Sequence, residues 1–181
     1  HPLPTETTML TVGQPFPEFH CQACVGNTPD DLTQVHTGTY EGRWKLFLFY
    51  PKDFTFVCPT ELVEFGNAAA DFDLRDVVLI GGSTDNEYSH LAWRSQDKML
   101  SELPYPLIAC QKLAQDLGIL CPDNHVCLRA TYLVDPDGII QWANCNSLSV
   151  GRSVAEALRV VDAVQSGELC GCNWSAGDAH L

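Results

Sequence analysis

A run of aromatic and aliphatic residues at positions 44–50, followed closely by a helix start, constrains the fold more than any other feature of the sequence. A short apolar run of this kind is typical of a strand buried in the centre of a sheet. The run stops at Pro51, and Pro59 and Glu61 both suit the first turn of a helix. Apolar residues then recur at helical spacing, so we predict a buried strand leading into a helix over residues 59–72.

The rest of the chain continues this alternation of strand and helix. We predict strands over residues 77–81 and 105–109, helices over 86–100, 111–117 and 153–164, and a hairpin over 130–143. Residues 12–19 are expected to be irregular or an edge strand, and residues 26–42 to be rich in loops. This order predicts an α/β fold with a mixed central sheet flanked by helices, because the hairpin adds antiparallel strands. A thioredoxin-like arrangement fits the order, and periodicity alone leaves a flavodoxin-like one open.

A length of 181 residues suits a single domain with a full hydrophobic core. We expect this domain to span residues 9–165 and a polar C-terminal tail to span residues 166–181. Met9 could serve as a natural start, which leaves residues 1–8 as a native extension or a non-native remnant. The sequence contains no run of 18 apolar residues and no secretory pattern at its beginning, so neither a membrane span nor export is predicted.

The charge balance and the cysteine count narrow the class of partner and the compartment. A net charge of −13 argues against nucleic acid, because phosphate binding needs clustered Lys and Arg, and it favours small-molecule or protein partners. Nine cysteines is an odd number in a chain with an adequate core, which argues against a secreted disulfide framework. We therefore expect a reducing, cytoplasmic setting with a few working thiols.

Cys58 lies where the buried strand gives way to the helix, and this position is chemically distinctive. Unpaired N–H groups and the helix dipole at a helix N-terminus favour a thiolate, and Arg129 is a candidate for a nearby cation. Thr55 carries a hydroxyl that can bond the thiolate or a peroxide, and Pro51 can shield the sulfur from water. Since most buried cysteines are inert, the pattern alone leaves a reactive and a structural thiol about equally favoured.

Two cysteines one residue apart, Cys170 and Cys172, lie in the polar tail. They could be metal ligands, a redox pair or an accident of sequence. A zinc ion would need two further ligands, usually from a matching cluster, and none is obvious nearby. We therefore predict no metal site and no cofactor.

The segment Pro-Lys-Asp-Phe-Thr-Phe-Val-Cys-Pro-Thr-Glu at residues 51–61 resembles the Pro-x-x-x-Thr-x-x-Cys signature of the peroxiredoxins. The amino-acid sequence around this signature is similar to that of the alkyl hydroperoxide reductase C (AhpC) branch. The resemblance continues through residues 90–94, 103–107, 129–135 and 149–153, and it covers roughly residues 9–181. It implies a thioredoxin-like fold and a thiol-dependent peroxidase that reduces hydrogen peroxide and organic hydroperoxides in antioxidant defence.

By this resemblance Cys58 is the peroxidatic cysteine, and its peroxide-binding partners are Pro51, Thr55 and Arg129. Two further residues match supporting members of an ion-pair network near the site: Glu61 and Arg152. At residues 81–85, Gly-Gly-Ser-Thr-Asp, the sequence differs from the one common in the family. We expect this departure to change local packing more than chemistry.

The tail resembles that of the three-cysteine peroxiredoxins of actinobacteria, in which Cys170 matches the main resolving cysteine and Cys172 the auxiliary one. Attack on a peroxide leaves a sulfenic acid that must condense with a second thiol before it is oxidised further. In the family the resolving thiol belongs to the partner protomer, which implies a homodimer. The resemblance also implies assembly into a ring, a dodecamer favoured over a decamer, and reduction by thioredoxin or a dedicated thiol reductase.

Two other functions compete with the peroxidase. A disulfide reductase would use the pair Cys170 and Cys172, but it leaves Pro51, Thr55 and Arg129 without a role. A non-enzymatic holdase or scaffold is the third hypothesis, because some ring-forming relatives show this as a second activity.

The remaining cysteines have no place in the family mechanism, and we expect them to be structural thiols, although the spacing of two of them, Cys121 and Cys127, would also allow a pair. These cysteines are Cys21, Cys24, Cys110, Cys121, Cys127 and Cys145. The six histidines form no triad and no metal-binding spacing. We expect His90 and His125 to be surface or supporting groups.

Overall fold

A computed structural model describes residues 8–181, so the segment expected to be a native extension or a non-native remnant lies outside the described residues except for Thr8. A seven-stranded sheet forms the centre, in the order β2-β1-β5-β4-β3-β6-β7. Strand β3 pairs in parallel with β4 and antiparallel with β6, so the mixed sheet predicted from the sequence is confirmed. The strands are β1 (His20–Cys24), β2 (Leu32–His36), β3 (Trp44–Phe49), β4 (Val77–Ser83), β5 (Leu107–Ala109), β6 (Arg129–Val134) and β7 (Ile140–Asn146).

Helices pack on both faces of this sheet, and β3 divides its side chains between the two cores. Phe47 and Phe49 point into one core with helix α5, while Leu46 and Leu48 point into the other with α1 and α6. This alternation is the two-residue period of a strand that is buried on both faces. The helices are α1 (Val57–Asn67), α2 (Ala69–Asp73), α3 (Glu87–Gln96), α4 (Lys98–Ser101), α5 (Gln111–Leu117) and α6 (Val154–Ser166).

Two predicted helices are each divided in the structure. The helix expected over residues 59–72 begins at Val57 and breaks at Ala68, which separates α1 from α2. The helix expected over residues 86–100 breaks at Asp97, whose carboxylate accepts hydrogen bonds from Met99 N at 2.9 Å and Leu100 N at 3.3 Å. Asp97 thereby caps a new helix, α4, because its side chain satisfies amides that lack helical partners.

The prediction of a loop-rich segment over residues 26–42 is wrong for Leu32–His36, which forms strand β2. This strand pairs antiparallel with β1, and β1 also pairs with β5, so the two strands extend the sheet at one edge. Cys21, Ala23 and Cys24 are the buried residues of β1. Such small residues give only a weak strand signal, which explains why the sequence pattern did not reveal it.

The chain between β3 and α1, residues 50–56, forms a segment that we call the β3–α1 loop. Phe54 within it has a φ of 59°, in the left-handed region that non-glycine residues rarely adopt. At the other end of the chain, the tail after α6 folds back on that helix. The Trp174 side chain is buried there, and the Trp174 carbonyl accepts a hydrogen bond from Arg159 Nη1 at 3.0 Å. Within the described residues no helix is long and apolar enough to cross a bilayer.

Candidate active site

Cys58 is the second residue of α1 and its side chain is buried, with 1% of the residue exposed. Amide N–H groups in the first turn of a helix have no partner within the helix, and Phe56 at the N-cap offers no side-chain cap. The structure therefore places this thiol at a helix start, as the sequence predicted. The helix begins two residues earlier than the predicted boundary at Pro59, which is within the usual fraying of helix ends.

Arg129 brings a positive charge directly to the sulfur. It is the first residue of β6, and its Nη1 donates to Cys58 Sγ at 3.2 Å. Its Nε donates to the carbonyl of Leu148 at 2.7 Å, which fixes the direction of the guanidinium. A guanidinium at this distance attracts a negatively charged sulfur and presents further N–H donors beside it.

A buried network of charges holds Arg129 in place. Arg129 Nη1 also donates to Glu61 Oε1 at 2.8 Å, and Arg152 Nε donates to Glu61 Oε2 at 2.7 Å. Glu61 lies on α1 one turn after Cys58, so the helix that carries the thiol also carries the carboxylate that orients the arginine. Arg152 continues the network through its Nη1 to the carbonyl of Ala130 at 2.9 Å. The sequence prediction of Glu61 and Arg152 as supporting members of an ion-pair network agrees with these contacts.

Pro51 and Thr55 meet Arg129 at a shallow surface depression of about 300 Å³. The Thr55 side chain is exposed, and its hydroxyl donates to the carbonyl of Lys52 at 3.0 Å. Thr55 makes no hydrogen bond to Cys58 within the described residues, so of the two partners expected for its hydroxyl, the thiolate or a peroxide, the thiolate is not contacted here. The bond to Lys52 is a local turn contact that competes for the same hydroxyl proton.

The tail thiols lie elsewhere in the chain. Cys170 is half-buried against the last turn of α6, with its Sγ 3.5 Å from Ser166 Oγ and 3.7 Å from the carbonyl of Ala163. Cys172 is exposed. All nine cysteines lie within residues 8–181 and all are free thiols there, so neither Cys170 nor Cys172 is bonded to Cys58 in this single chain.

Burial raises the pKa of several of the other thiols and so disfavours their thiolate forms. Cys110 and Cys127 are buried with their sulfurs 3.9 Å apart, and burial raises the pKa of Cys110 well above its ordinary value. Burial likewise raises the pKa of Cys21 to about 11. The Cys127 sulfur faces Cys110, and Cys121 and Cys127 are both free thiols. The pair between Cys121 and Cys127 that their spacing would allow is thus not formed.

A second polar cluster, which the sequence reasoning missed, lies beside the β3–α1 loop. Asp53 and His90 form a buried pair, with Nδ1 of His90 2.7 Å from Asp53 Oδ2. Of the two positions expected for His90, surface or supporting, the surface position is wrong, since its side chain is fully buried. One signal was available: His90, Trp93 and Arg94 recur at helical spacing and together form the buried face of α3. Among residues 8–181 no group of three or more His, Cys, Asp or Glu is placed to hold a metal ion.

Comparison with known proteins identifies the class. A family described as the AhpC/TSA family matches residues 12–143, and the chain belongs to that family. It is 46% identical to alkyl hydroperoxide reductase C of Mycolicibacterium smegmatis over 184 aligned positions, which cover 96% of this chain and 94% of that protein. Together with the site, this membership makes the protein a thiol-dependent peroxidase of the peroxiredoxin type, an oxidoreductase of antioxidant function.

Solved structures agree with this assignment. The chain superimposes on Mycobacterium tuberculosis AhpC with a TM-score of 0.84 and 40% identity, covering 92% of this chain and 99% of that one. It superimposes on the reduced 2-Cys peroxiredoxin of Plasmodium vivax with a TM-score of 0.86 and 36% identity, covering 93% and 91% of the two chains. The thioredoxin-like fold expected from the sequence is thereby confirmed.

Proposed function

We propose that Cys58 is the peroxidatic cysteine of this peroxidase and that it reduces hydrogen peroxide and organic hydroperoxides. The single observation that carries the proposal is the 3.2 Å contact between Arg129 Nη1 and Cys58 Sγ at the start of α1. A cation and open helix amides around one thiol favour the nucleophilic thiolate, and they also supply donors for the oxygen that departs.

The first half-reaction consumes the peroxide. The Cys58 thiolate attacks one peroxide oxygen, the O–O bond breaks, and the other oxygen leaves with a proton as water or an alcohol. Cys58 is oxidised to a sulfenic acid, and the peroxide is reduced by two electrons. Arg129 stays bound to Glu61 through this step, so its charge is already aligned with the oxygen on which negative charge develops.

The second half-reaction protects the oxidised sulfur. Cys170 attacks the Cys58 sulfenic acid, a disulfide forms, and the hydroxyl leaves as water. Because Cys58 and Cys170 are free thiols with different neighbours in one chain, we assign the attacking Cys170 to the second protomer of a homodimer, with Cys172 as an auxiliary thiol that can exchange into the disulfide. An external dithiol, thioredoxin or a dedicated reductase, then reduces the disulfide.

The assembly and setting are part of the same proposal. A homodimer that assembles into a ring, with a dodecamer favoured over a decamer, would place each Cys58 near a tail of the neighbouring protomer. A cytoplasmic setting suits nine free thiols, because the cytosol keeps thiols reduced.

The rival function as a disulfide reductase rests on Cys170 and Cys172 alone. Cys172 is exposed, as an exchanging thiol needs to be, but such a role leaves the buried network of Cys58, Arg129 and Glu61 without a purpose. The peroxidase accounts for both groups of residues.

Peroxide consumption by three serine variants tests the proposal. Cys58→Ser should abolish turnover, whereas Cys170→Ser should consume one peroxide per protomer and then stop. Cys145→Ser is the matched control, since it removes an exposed thiol from β7 and should retain full activity. The proposal is falsified if Cys58→Ser still turns over peroxide.

A further inference from the structure

The β3–α1 loop is fastened to the protein interior through one carboxylate. Asp53 Oδ1 accepts a hydrogen bond from the Tyr50 hydroxyl at 2.7 Å, and Asp53 Oδ2 accepts from Ser89 Oγ at 2.9 Å and faces His90 Nδ1 at 2.7 Å. The side chains of Asp53 and His90 are 1% and 0% exposed. We call the group formed by Asp53 and its four partners the Asp53 anchor; the partners are Tyr50, Asp85, Ser89 and His90.

The hydrogen-bond partners determine where the protons of His90 lie. Its Nε2 faces the carbonyl oxygen of Ile108 at 3.0 Å, which only accepts, so Nε2 carries a hydrogen. The hydroxyls of Tyr50 and Ser89 both donate to Asp53, so the carboxylate is already solvated by two neutral donors. One proton therefore lies between Nδ1 of His90 and Oδ2 of Asp53, and it joins helix α3 to the loop.

A second contact fixes the backbone of the same residue. Asp53 N donates to Asp85 Oδ2 at 2.7 Å, so both the main chain and the side chain of Asp53 are held. The next residue, Phe54, has the left-handed φ of 59°. A non-glycine residue keeps such a conformation only when its surroundings over-determine it, and the doubly held Asp53 supplies that constraint. Residues 51 and 55, both of which line the depression beside Arg129, lie two positions to either side of Asp53.

We propose that Asp53 and His90 are positioning residues that hold the β3–α1 loop closed for peroxide reduction and thereby oppose its opening for disulfide formation. This inference rests on the proposed function of Cys58. A buried thiol cannot join a thiol of another protomer until the first turn of α1 opens, because the two Cα atoms of a disulfide lie only about 4.4–6.8 Å apart. The Asp53 anchor therefore favours one half-reaction at the expense of the other.

The proposal predicts opposite changes in the two half-reactions when the anchor is broken. In Asp53→Asn and His90→Leu, reaction of reduced protein with peroxide should slow by about 10- to 100-fold, because Pro51 and Thr55 lose their positions. Formation of the disulfide from the sulfenic acid should become faster in the same variants. His90→Asn keeps a donor where Nδ1 lies and should restore most of both rates.

Rapid-mixing kinetics of each half-reaction provide the first measurement. Asp162→Asn is the matched control, because it removes a carboxylate of α6 that pairs with Arg75 and lies far from the loop in sequence. It should leave both rates unchanged. Slower peroxide reduction with faster disulfide formation supports the proposal. Any other pattern in Asp53→Asn, including equal slowing of both steps, overturns it.

Hydrogen exchange of the amides of residues 54–57 in the reduced protein provides a readout that needs no peroxide. Exchange should be faster by about tenfold or more in Asp53→Asn than in the wild type and Asp162→Asn. Should Cys58→Ser remain active, the proposed function fails, whereas the anchor is still tested by this exchange. If Asp53→Asn and His90→Leu do not fold, Tyr50→Phe takes their place, because it removes one hydrogen-bond donor to Asp53. It must show the same slower peroxide reduction and faster disulfide formation, with smaller changes in rate. Unchanged rates and unchanged exchange in Tyr50→Phe overturn the proposal.

Discussion

Arg129 contacts Cys58 Sγ at 3.2 Å with the same nitrogen, Nη1, that donates to Glu61 at 2.8 Å. The thiol and the carboxylate lie one turn apart on α1, so a single guanidinium links the start of that helix to strand β6. The charge on Arg129 is consequently held in place without any bound peroxide, which is the alignment that its proposed role requires.

Replacing Arg129 tests this relationship. Arg129→Ala should lower the kcat/KM for peroxide by about 100-fold, because a charge-bearing donor is lost beside the Cys58 sulfur. Arg129→Lys should recover part of the loss, since lysine keeps the charge but not the fork of donors. Stopped-flow kinetics of peroxide reduction by the reduced proteins measure both effects.

The control for this experiment is Arg43→Ala, which removes a partly exposed arginine paired with Asp73 and Asp76. It should leave the rate of peroxide reduction at the wild-type value. An Arg129→Ala protein that reduces peroxide at the wild-type rate would show that Arg129 takes no part in the reaction.

Glu61 should be far more important for stability than an ordinary ion-pair partner. Glu61→Gln would leave two buried guanidiniums, Arg129 and Arg152, facing a neutral amide, and breaking a buried ion pair in this way costs about 3–5 kcal/mol. Asp162→Asn removes a more exposed partner and should cost about 1 kcal/mol or less. Urea unfolding of the reduced proteins measures the two free energies of unfolding, and similar losses in both variants would contradict this account.

Much of the fold follows from local patterns in the sequence. The apolar run at residues 44–50, the turn Asp-Pro-Asp-Gly at 135–138 and the glycine after α6 each specify an element by short-range chemistry, and the corresponding β3, hairpin and α6 are present. The division of a predicted helix at Asp97 was missed because an acidic residue inside a helical pattern is typical of a surface position. Its capping role depends on a local break in the backbone that periodicity does not report.

The site divides in the same way between local and distant information. Cys58, Thr55 and Pro51 share one short segment, and the predicted arginine meets that segment although it is 71 residues from Cys58 in sequence. The Asp53–His90 pair was missed because it joins residues 37 positions apart, and nothing local distinguishes a buried Asp from a solvated one. Such pairing depends on the sheet that brings α3 beside the β3–α1 loop.

The tail after α6 should be held by Trp174. This residue is 5% exposed, its carbonyl accepts from Arg159, and its ring stacks on His180 with ring centroids 5.4 Å apart. Trp174→Ala should free the tail, because truncating a buried aromatic side chain costs about 3 kcal/mol or more. We expect Cys170, half-buried in the wild type, to be alkylated several-fold faster in this variant when followed by mass spectrometry of the reduced protein.

Leu169→Ala is the matched control for the tail, since this side chain is 72% exposed in the same segment. It should leave the alkylation rate of Cys170 unchanged. Equal rates in Trp174→Ala and the wild type would mean that the tail is held by other contacts.

Oxidation should weaken the proposed ring. Phe47 and Phe49 are fully buried in the core and are not available for contacts between dimers. Phe54 and Phe56 are 53% and 94% exposed, and both lie in the β3–α1 loop, which opens in the proposed mechanism when Cys58 forms its disulfide. If these rings contact a neighbouring dimer, opening the loop removes that contact, and the reduced and oxidised states then differ in assembly by the contact energy that is lost.

Light scattering of reduced and disulfide-bonded protein at equal concentration should therefore give a larger mass for the reduced form. Phe56→Ala should dissociate the reduced ring at a higher concentration than the exposed-residue control Leu74→Ala. Identical masses in both redox states down to micromolar concentration would show that assembly and the redox state of Cys58 are not coupled.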